Sequence, residues 1–209
     1  MKTRSGIGST AILAAGLMSL WLVMMIGGTG PADRFLLGEL YAADRPLLRS
    51  FALTATIFGN GQIVILISVA IAAWLLYAGH RRSAMLLLGI TLTGRLLVEL
   101  QKIGISRLRP ADLEHLAPVK SLSFPSAHAA NSMILFLTIA AIVPRGEHRR
   151  WAVIAALCGS FLVGISRPML GVHYPSDVAG GWAFGAAWVL TMLAIAGRWP
   201  ARAPPAVRR

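Results

Sequence analysis

Six apolar stretches dominate the chain and limit what it can fold into. They cover residues 7–27, 62–79, 84–101, 129–144, 151–165 and 178–197. A helix needs about 20 mostly apolar residues to cross a bilayer, and each stretch approaches that length once its flanking small residues are included. Apolar side chains make up 56% of the 209 residues and charged ones only 13%, about half the charged share of a soluble domain. The sequence therefore predicts an all-α fold, a polytopic bundle of six transmembrane helices.

The first stretch is predicted to be a retained helix and not a signal peptide. It follows Lys2 and Arg4, but it is long for a signal peptide, and "GGTGPADR" after it offers no convincing cleavage site. The residues before the second stretch are mixed in charge and interrupted by Pro46 and Gly59, which favours an interfacial segment with some amphipathic helix. Residues 1–197 are expected to form one membrane domain, followed by a basic, Pro-rich cytoplasmic tail over 198–209.

Short basic loops predict the orientation in the membrane. "HRRS" and "RGEHRR" join successive apolar stretches, and positive residues near the ends of spans collect on the cytoplasmic side. The protein is therefore expected in a bacterial inner (plasma) membrane, with both termini on the cytoplasmic side. The net charge of +12 is scattered between apolar runs without a basic face, which argues against a nucleic-acid partner. Cys158 lies within an apolar run and is interpreted as a packing residue.

Three polar segments stand at the opposite, outward ends of the predicted spans. They are "KIGISRLRP" (102–110), "PSAH" (125–128) and "SRPMLGVHYPSD" (166–177). Because each adjoins a span end on the same side, a helix bundle can bring them together. Lys102 and Arg109 are seven residues apart, about two helical turns, and Arg167 adds a third cation. Three cations with few acids predict a site for a multiply charged anion, most simply phosphate.

The "PSAH" segment has the features of a phosphate cradle. Proline is favoured in the first turn of a helix, where backbone N–H groups have no partner within the helix. Those amides and the Ser126 hydroxyl are expected to bind phosphate oxygens with support from the helix dipole. Ala127 is small enough to let the backbone approach. His128 is placed to donate a proton to a leaving oxygen.

His173 and Asp177 supply the other half of the predicted chemistry. They are four residues apart at the start of the last span, and side chains at this spacing can share a hydrogen bond. A carboxylate on one imidazole nitrogen fixes the tautomer and leaves the other nitrogen free to attack. The spacing predicts His173 as a nucleophile, Asp177 as the residue that orients it, and a phosphohistidine intermediate.

In this order, the three segments resemble the three-part signature of the type 2 phosphatidic-acid phosphatase superfamily, which includes membrane lipid phosphatases. The resemblance implies phosphate binding by Lys102, Arg109, Arg167, Ser126 and the backbone of Ala127, with His128 as proton donor and His173, paired with Asp177, as nucleophile. The usual glycine of the family is Ala127 here; a backbone donor remains, so activity is expected to survive. The family's phosphatases imply neither a metal nor another cofactor.

The expected substrate is a lipid phosphate. Short loops leave no large lid over the site, so a headgroup can enter from the bilayer while its tails stay in lipid. Undecaprenyl diphosphate, phosphatidylglycerophosphate and phosphatidic acid are the candidates. One alternative is transfer of the phosphoryl group to a lipid or sugar acceptor. Another is a non-catalytic membrane protein that binds an anion or lipid, but it would have no use for the spacing of His173 and Asp177.

Several other polar residues carry less specific predictions. Arg95 and Glu99, four apart within the third span, either line the substrate cleft or form an intrahelical ion pair, and the sequence favours neither. The remaining polar residues of the loop after that span are expected to be solvated or to face headgroups: Arg107, Asp112, Glu114, His115 and Lys120.

Overall fold

The computed structural model describes residues 3–144 and 146–197, with side chains from residue 8 onward. This part of the chain folds into eight helices and contains no strand. They are α1 (Thr3–Gly27), α2 (Pro31–Leu40), α3 (Pro46–Ile57), α4 (Gly61–Tyr77), α5 (Arg81–Ile105), α6 (Ala127–Ile142), α7 (His148–Met169) and α8 (Pro175–Ile195). The predicted tail over 198–209 lies outside the described residues.

The helices form a membrane protein, but their lengths do not reproduce the predicted count of six spans. Four helices are long and apolar enough to cross a bilayer: α1 over Gly8–Gly27, α5, α7 and α8. α3 and α4 make a fifth candidate if they are counted as one span bent by 49°. α6 is apolar but has only 16 residues. The all-helical prediction is confirmed, with four or five candidate spans by length and composition.

The segment predicted to be interfacial with some amphipathic helix forms two helices, α2 and α3. α3 is the first part of the bent α3–α4 pair. Pro46 does not interrupt this helix because it occupies the first turn, where its missing N–H costs nothing. Asn60 then starts α4 by accepting a 2.9 Å hydrogen bond from the amide of Gln62. The chain therefore turns at residues 58–60 and continues as a second apolar helix.

α6 lies at the centre of the bundle, packed against α5, α7 and α8, while α1 packs on α8 and α3 on α7. Close approach of α8 to α6 depends on glycine. A Cβ atom at Gly181 would lie 2.7 Å from the Ser126 carbonyl oxygen, and one at Gly185 would lie 2.9 Å from that of Ala130. This packing brings the start of α8 beside the start of α6, so that the Ser126 amide donates to the Asp177 carbonyl at 2.9 Å.

Candidate active site

The three predicted segments meet at one end of the bundle and form a buried polar cluster. Lys102 comes from the last turn of α5, Ser126 from the start of α6, and Arg167 from the last turn of α7. With His173 and Asp177, none of these residues is more than 3% exposed. Buried charges require compensation. The carboxylate of this cluster, that of Asp177, is paired with Arg107, so the charges of Lys102, Arg109 and Arg167 remain to attract an anion.

The expected pairing of His173 with Asp177 is present but is bridged by a serine that the sequence analysis missed. Nδ1 of His173 lies 3.4 Å from Oδ2 of Asp177. The Ser123 hydroxyl lies 2.5 Å from that oxygen and 3.2 Å from Nδ1. A carboxylate can only accept, so Ser123 donates to Asp177 and accepts from Nδ1–H. The imidazole is therefore held with its proton on Nδ1, and the lone pair on Nε2 accepts a hydrogen bond from Nη1 of Arg109.

Arg109 faces that lone pair. Its Nη1 lies 3.1 Å from Nε2 of His173 and donates to the Val172 carbonyl at 2.5 Å, while Nε donates to the Ser121 carbonyl at 2.6 Å. Burial, followed by the charges of Arg109 and Arg167, lowers the pKa of His173 well below 6.5. The imidazole is therefore neutral at physiological pH, the form that a nucleophile requires.

Two buried polar atoms in the cluster have no partner within the part of the chain that the structure describes. They are the Ser126 hydroxyl and Nε of Arg167. A different nitrogen of the same guanidinium holds Arg167 in place, because Nη1 donates to the Thr56 hydroxyl of α3 at 2.5 Å. The Lys102 ammonium donates to the Leu122 carbonyl. Unsatisfied buried donors beside fixed cations suit the oxygens of a bound phosphate.

The start of α6 provides part of the expected cradle. The amide of Ser126 is already used by the Asp177 carbonyl, whereas the amide of Ala127 has no acceptor among the described residues. The backbone donor expected at Ala127 is therefore available, and that of Ser126 is not. His128 is partly buried against the turn between α3 and α4: a Cβ atom at Gly59 would lie 2.8 Å from its Cβ.

The prediction that Arg107 is solvated is wrong. Its side chain is only 9% exposed, and Nη1 lies 2.8 Å from Oδ1 of Asp177. Its guanidinium carbon lies 4.3 Å from the centroid of the Phe124 ring, and Nη2 donates to the carbonyls of Met24 and Met25 at the end of α1. The chain can return Arg107 to the core because α5 ends at Ile105 and the next residue, Ser106, adopts a left-handed conformation, with φ of 54°. Arg107 precedes Arg109 by two residues, and nothing in that spacing marks it.

The other polar residues of the loop after α5 differ in how exposed they are. Asp112, Glu114 and Lys120 are exposed as expected, whereas His115 is half-buried and its Nε2 lies 2.8 Å from the Pro110 carbonyl.

Cys158 is exposed on the outside of α7 and is not a packing residue, because an apolar helix in lipid need not turn every apolar side chain inward. In the described part of the chain, no three His, Cys, Asp or Glu side chains lie together as metal ligands would.

Comparison with known proteins identifies the class of this protein, a membrane phosphatase. A family model described as the PAP2 superfamily matches residues 83–200. Because this is more than half of the chain, the chain belongs to that family. The resemblance indicated by the three motifs is therefore confirmed.

Individual relatives agree with the family assignment. The chain is 32% identical over 146 residues to phosphatidylglycerophosphatase B of Bacillus subtilis, which covers 68% of this chain and 71% of that protein. It is 38% identical over 109 residues to lipid A 1-phosphatase of Rhizobium johnstonii, covering 48% of this chain and 42% of that protein. The crystal structure of a transmembrane PAP2-type phosphatidylglycerolphosphate phosphatase from Bacillus subtilis superposes with a TM-score of 0.80 at 27% identity, covering 90% of this chain and 98% of that one.

Proposed function

We propose that this protein is an integral membrane lipid phosphatase that cleaves a terminal phosphate through a phosphohistidine at His173. The observation that carries the proposal is the state of the imidazole: its Nδ1 proton is directed to Ser123 and Asp177, and its Nε2 lone pair faces Arg109. A protein that only binds an anion has no need of this arrangement. Nor does such a protein need a neutral histidine among three cations.

The proposed reaction uses these groups in the following roles. Arg109, Arg167 and Lys102 balance the charge of the phosphate, and the Ser126 hydroxyl and Ala127 amide donate to its oxygens. Nε2 of His173 forms a bond to phosphorus as the bond to the leaving oxygen breaks. His128 gives that oxygen a proton. A water molecule then attacks the phosphohistidine and loses a proton to His128, which releases inorganic phosphate and restores His173.

The proposed substrate is a phosphorylated lipid. Both curated relatives named above act on lipid phosphates by their names, and phosphatidylglycerophosphate is the first candidate because the structural neighbour is also a phosphatase of that lipid. Undecaprenyl diphosphate and phosphatidic acid are the next candidates. Many large apolar side chains on α3, including those of Leu47 and Phe51, are exposed and suited to contact with acyl chains.

The proposed orientation has both termini in the cytoplasm of a bacterial cell and the site facing outward from the inner membrane. It requires α6 to serve as a short sixth span. α6 begins in the buried site, so it need not reach the membrane surface at that end, and its 16 residues give a length of about 24 Å. The first turn of α5, with Arg81 and Arg82, lies at the opposite end of that helix from Lys102, which agrees with this orientation.

Phosphate release by the detergent-purified protein tests the proposal. The substrates are phosphatidylglycerophosphate, undecaprenyl diphosphate, phosphatidic acid and a soluble phosphomonoester, all with EDTA present. We expect release from at least one lipid, loss of release in His173→Ala, and a radiolabelled phosphoenzyme on rapid quenching that the variant lacks. Release that survives His173→Ala would contradict the assigned nucleophile. Activity only toward the soluble ester would contradict the lipid substrate.

A further inference from the structure

Arg95 lies within a predicted span, and its side chain has no ion-pair or hydrogen-bond partner among the described residues. It lies ten residues before the end of α5, about 15 Å along the helix axis. The ion pair with Glu99 that its spacing allows is not formed, since no nitrogen of Arg95 lies within 4.0 Å of the Glu99 carboxylate. Arg95 also makes no hydrogen bond to the residues that the structure describes. A guanidinium at this depth is costly unless something binds it.

The guanidinium of Arg95 lies at the turn between α3 and α4, which is also a wall of the site. It packs so closely over Gly61 that any side chain at that position would overlap it. Gly59, two residues earlier and at most about 7 Å away along the chain, packs against His128. Thr56, in the last turn of α3 just before this turn, holds Arg167. Arg95 therefore adjoins the His128 side of the site.

This side is where the leaving group must go. In an in-line displacement, the attacking and leaving atoms lie on opposite faces of phosphorus. With Nε2 of His173 on one face, the leaving oxygen lies on the other, beside His128. Whatever that oxygen is attached to continues past His128 toward the α3–α4 turn and Arg95.

We propose that Arg95 binds a second phosphate carried by the leaving group. The inference rests on the function proposed above. The ligand is either the diester phosphate of phosphatidylglycerophosphate or the phosphate that remains on a prenyl chain after a diphosphate is cleaved; phosphatidic acid has no such group. Glu99 does not cancel the charge of Arg95, because it lies one turn nearer Lys102 and interacts electrostatically with that ammonium.

Arg95→Gln tests the proposal, with Arg95→Lys to retain the charge and Lys120→Gln to remove an exposed cation elsewhere. We expect Arg95→Gln to lower kcat/KM about tenfold for phosphatidylglycerophosphate or undecaprenyl diphosphate, the effect of one charge-assisted hydrogen bond, mainly through KM. Activity on phosphatidic acid should change by less than about twofold. Arg95→Lys should recover part of the loss, and Lys120→Gln should cause none. Separate tests of phosphatidylglycerophosphate and undecaprenyl diphosphate show whether the second phosphate is that of a diester or that of a diphosphate.

Equal losses on all lipids, or no loss on any, would overturn the assignment of Arg95. If the wild type released phosphate from no lipid, the proposed function would fail instead. Binding to His173→Ala protein, with and without Arg95→Gln, then tests Arg95 without turnover. In that background Arg95→Gln should weaken binding of a prenyl diphosphate about tenfold and leave binding of a prenyl monophosphate unchanged. Equal effects on both probes would refute the subsite.

Discussion

Arg107 and Asp177 form a buried ion pair in which Nη1 lies 2.8 Å from Oδ1. The same guanidinium donates to the last carbonyls of α1, where the negative end of the helix dipole favours a cation. The pair therefore links α1, which precedes the region matched by the family model, to the aspartate of the proposed site. Asp177 is fixed on two sides, with Oδ1 held by Arg107 and Oδ2 by Ser123.

Arg107 is expected to act as a positioning residue. Arg107→Leu leaves the buried Asp177 carboxylate without its cation, which typically costs about 3–5 kcal/mol of stability. It should also lower kcat by about tenfold or more, equal to at least about 1.4 kcal/mol, with little change in KM because Arg107 does not face the phosphate. Steady-state kinetics and thermal unfolding in detergent measure the two effects.

Arg107→Lys and Arg49→Leu are the matched variants for that experiment. The lysine keeps the charge but cannot make the same set of hydrogen bonds, so it should restore stability more than kcat. Arg49 is exposed on α3, and its loss should leave kcat unchanged. An increase in KM with unchanged kcat in Arg107→Leu would mean that Arg107 binds substrate directly.

Ser123 is expected to hold His173 in its reactive tautomer. Ser123→Ala leaves Nδ1 with only the long 3.4 Å contact to Asp177, and we expect kcat to fall about 10²-fold while KM is retained. Ser123→Thr keeps the hydroxyl and should recover much of the rate. Ser132→Ala is the control, since Ser132 is a buried serine of α6 that contacts Ser160 instead. A full rate in Ser123→Ala would show that Asp177 alone orients the imidazole.

The lowered pKa of His173 predicts a pH dependence of stability. In the unfolded chain the imidazole takes up a proton below about pH 6.5, whereas in the folded protein it stays neutral. The unfolded state therefore binds more protons below this pH. The contribution of neutral His173 to stability is fully present above pH 6.5 and is lost as the pH falls toward the folded pKa.

His173→Asn removes this contribution. The Tm of the wild type in detergent should fall more steeply than that of the variant between about pH 6.5 and about pH 4.5, and the two curves should run parallel from about pH 6.5 to about pH 7.5. Curves that stay parallel over the whole range would show that His173 is not held neutral by the fold.

Gly59 is expected to be required for the position of His128. A Cβ atom there would lie 2.6 Å from Cγ1 of Val163 and 2.8 Å from Cβ of His128. Gly59→Ala should therefore destabilise the protein by about 1–3 kcal/mol and displace His128, the proposed proton donor, lowering kcat. Gly89→Ala is the control because no atom lies within 4 Å of its added Cβ. Gly59→Ala with wild-type Tm and kcat would show that the α3–α4 turn moves freely away from α6.

Much of the site could be predicted from the sequence because its chemistry lies in three short segments. Local spacing indicates Lys102, His128 and His173 as candidates, and the structure brings their segments together. Arg107 and Ser123 could not be assigned in this way. Their roles depend on contacts with residues 70 and 54 positions later in the chain, and a loop arginine or serine has no local feature that distinguishes a buried partner from a headgroup.

The sequence by itself determined that this chain is helical and membrane-embedded, and it indicated which residue types the proposed site contains. The length of an apolar stretch and the charge of the loop beside it are local properties, and they decide directly whether a segment is stable in lipid or in water. Only the tertiary structure decided that α3 and α4 meet at a bend of 49°, that Cys158 faces outward, and that Ser123 and Arg107 hold Asp177. In lipid, apolar side chains are stable on every face of a helix, so composition does not reveal which face packs inward. The inward face is selected by close contacts such as that of Gly181 with Ser126, which exist only once the helices have assembled.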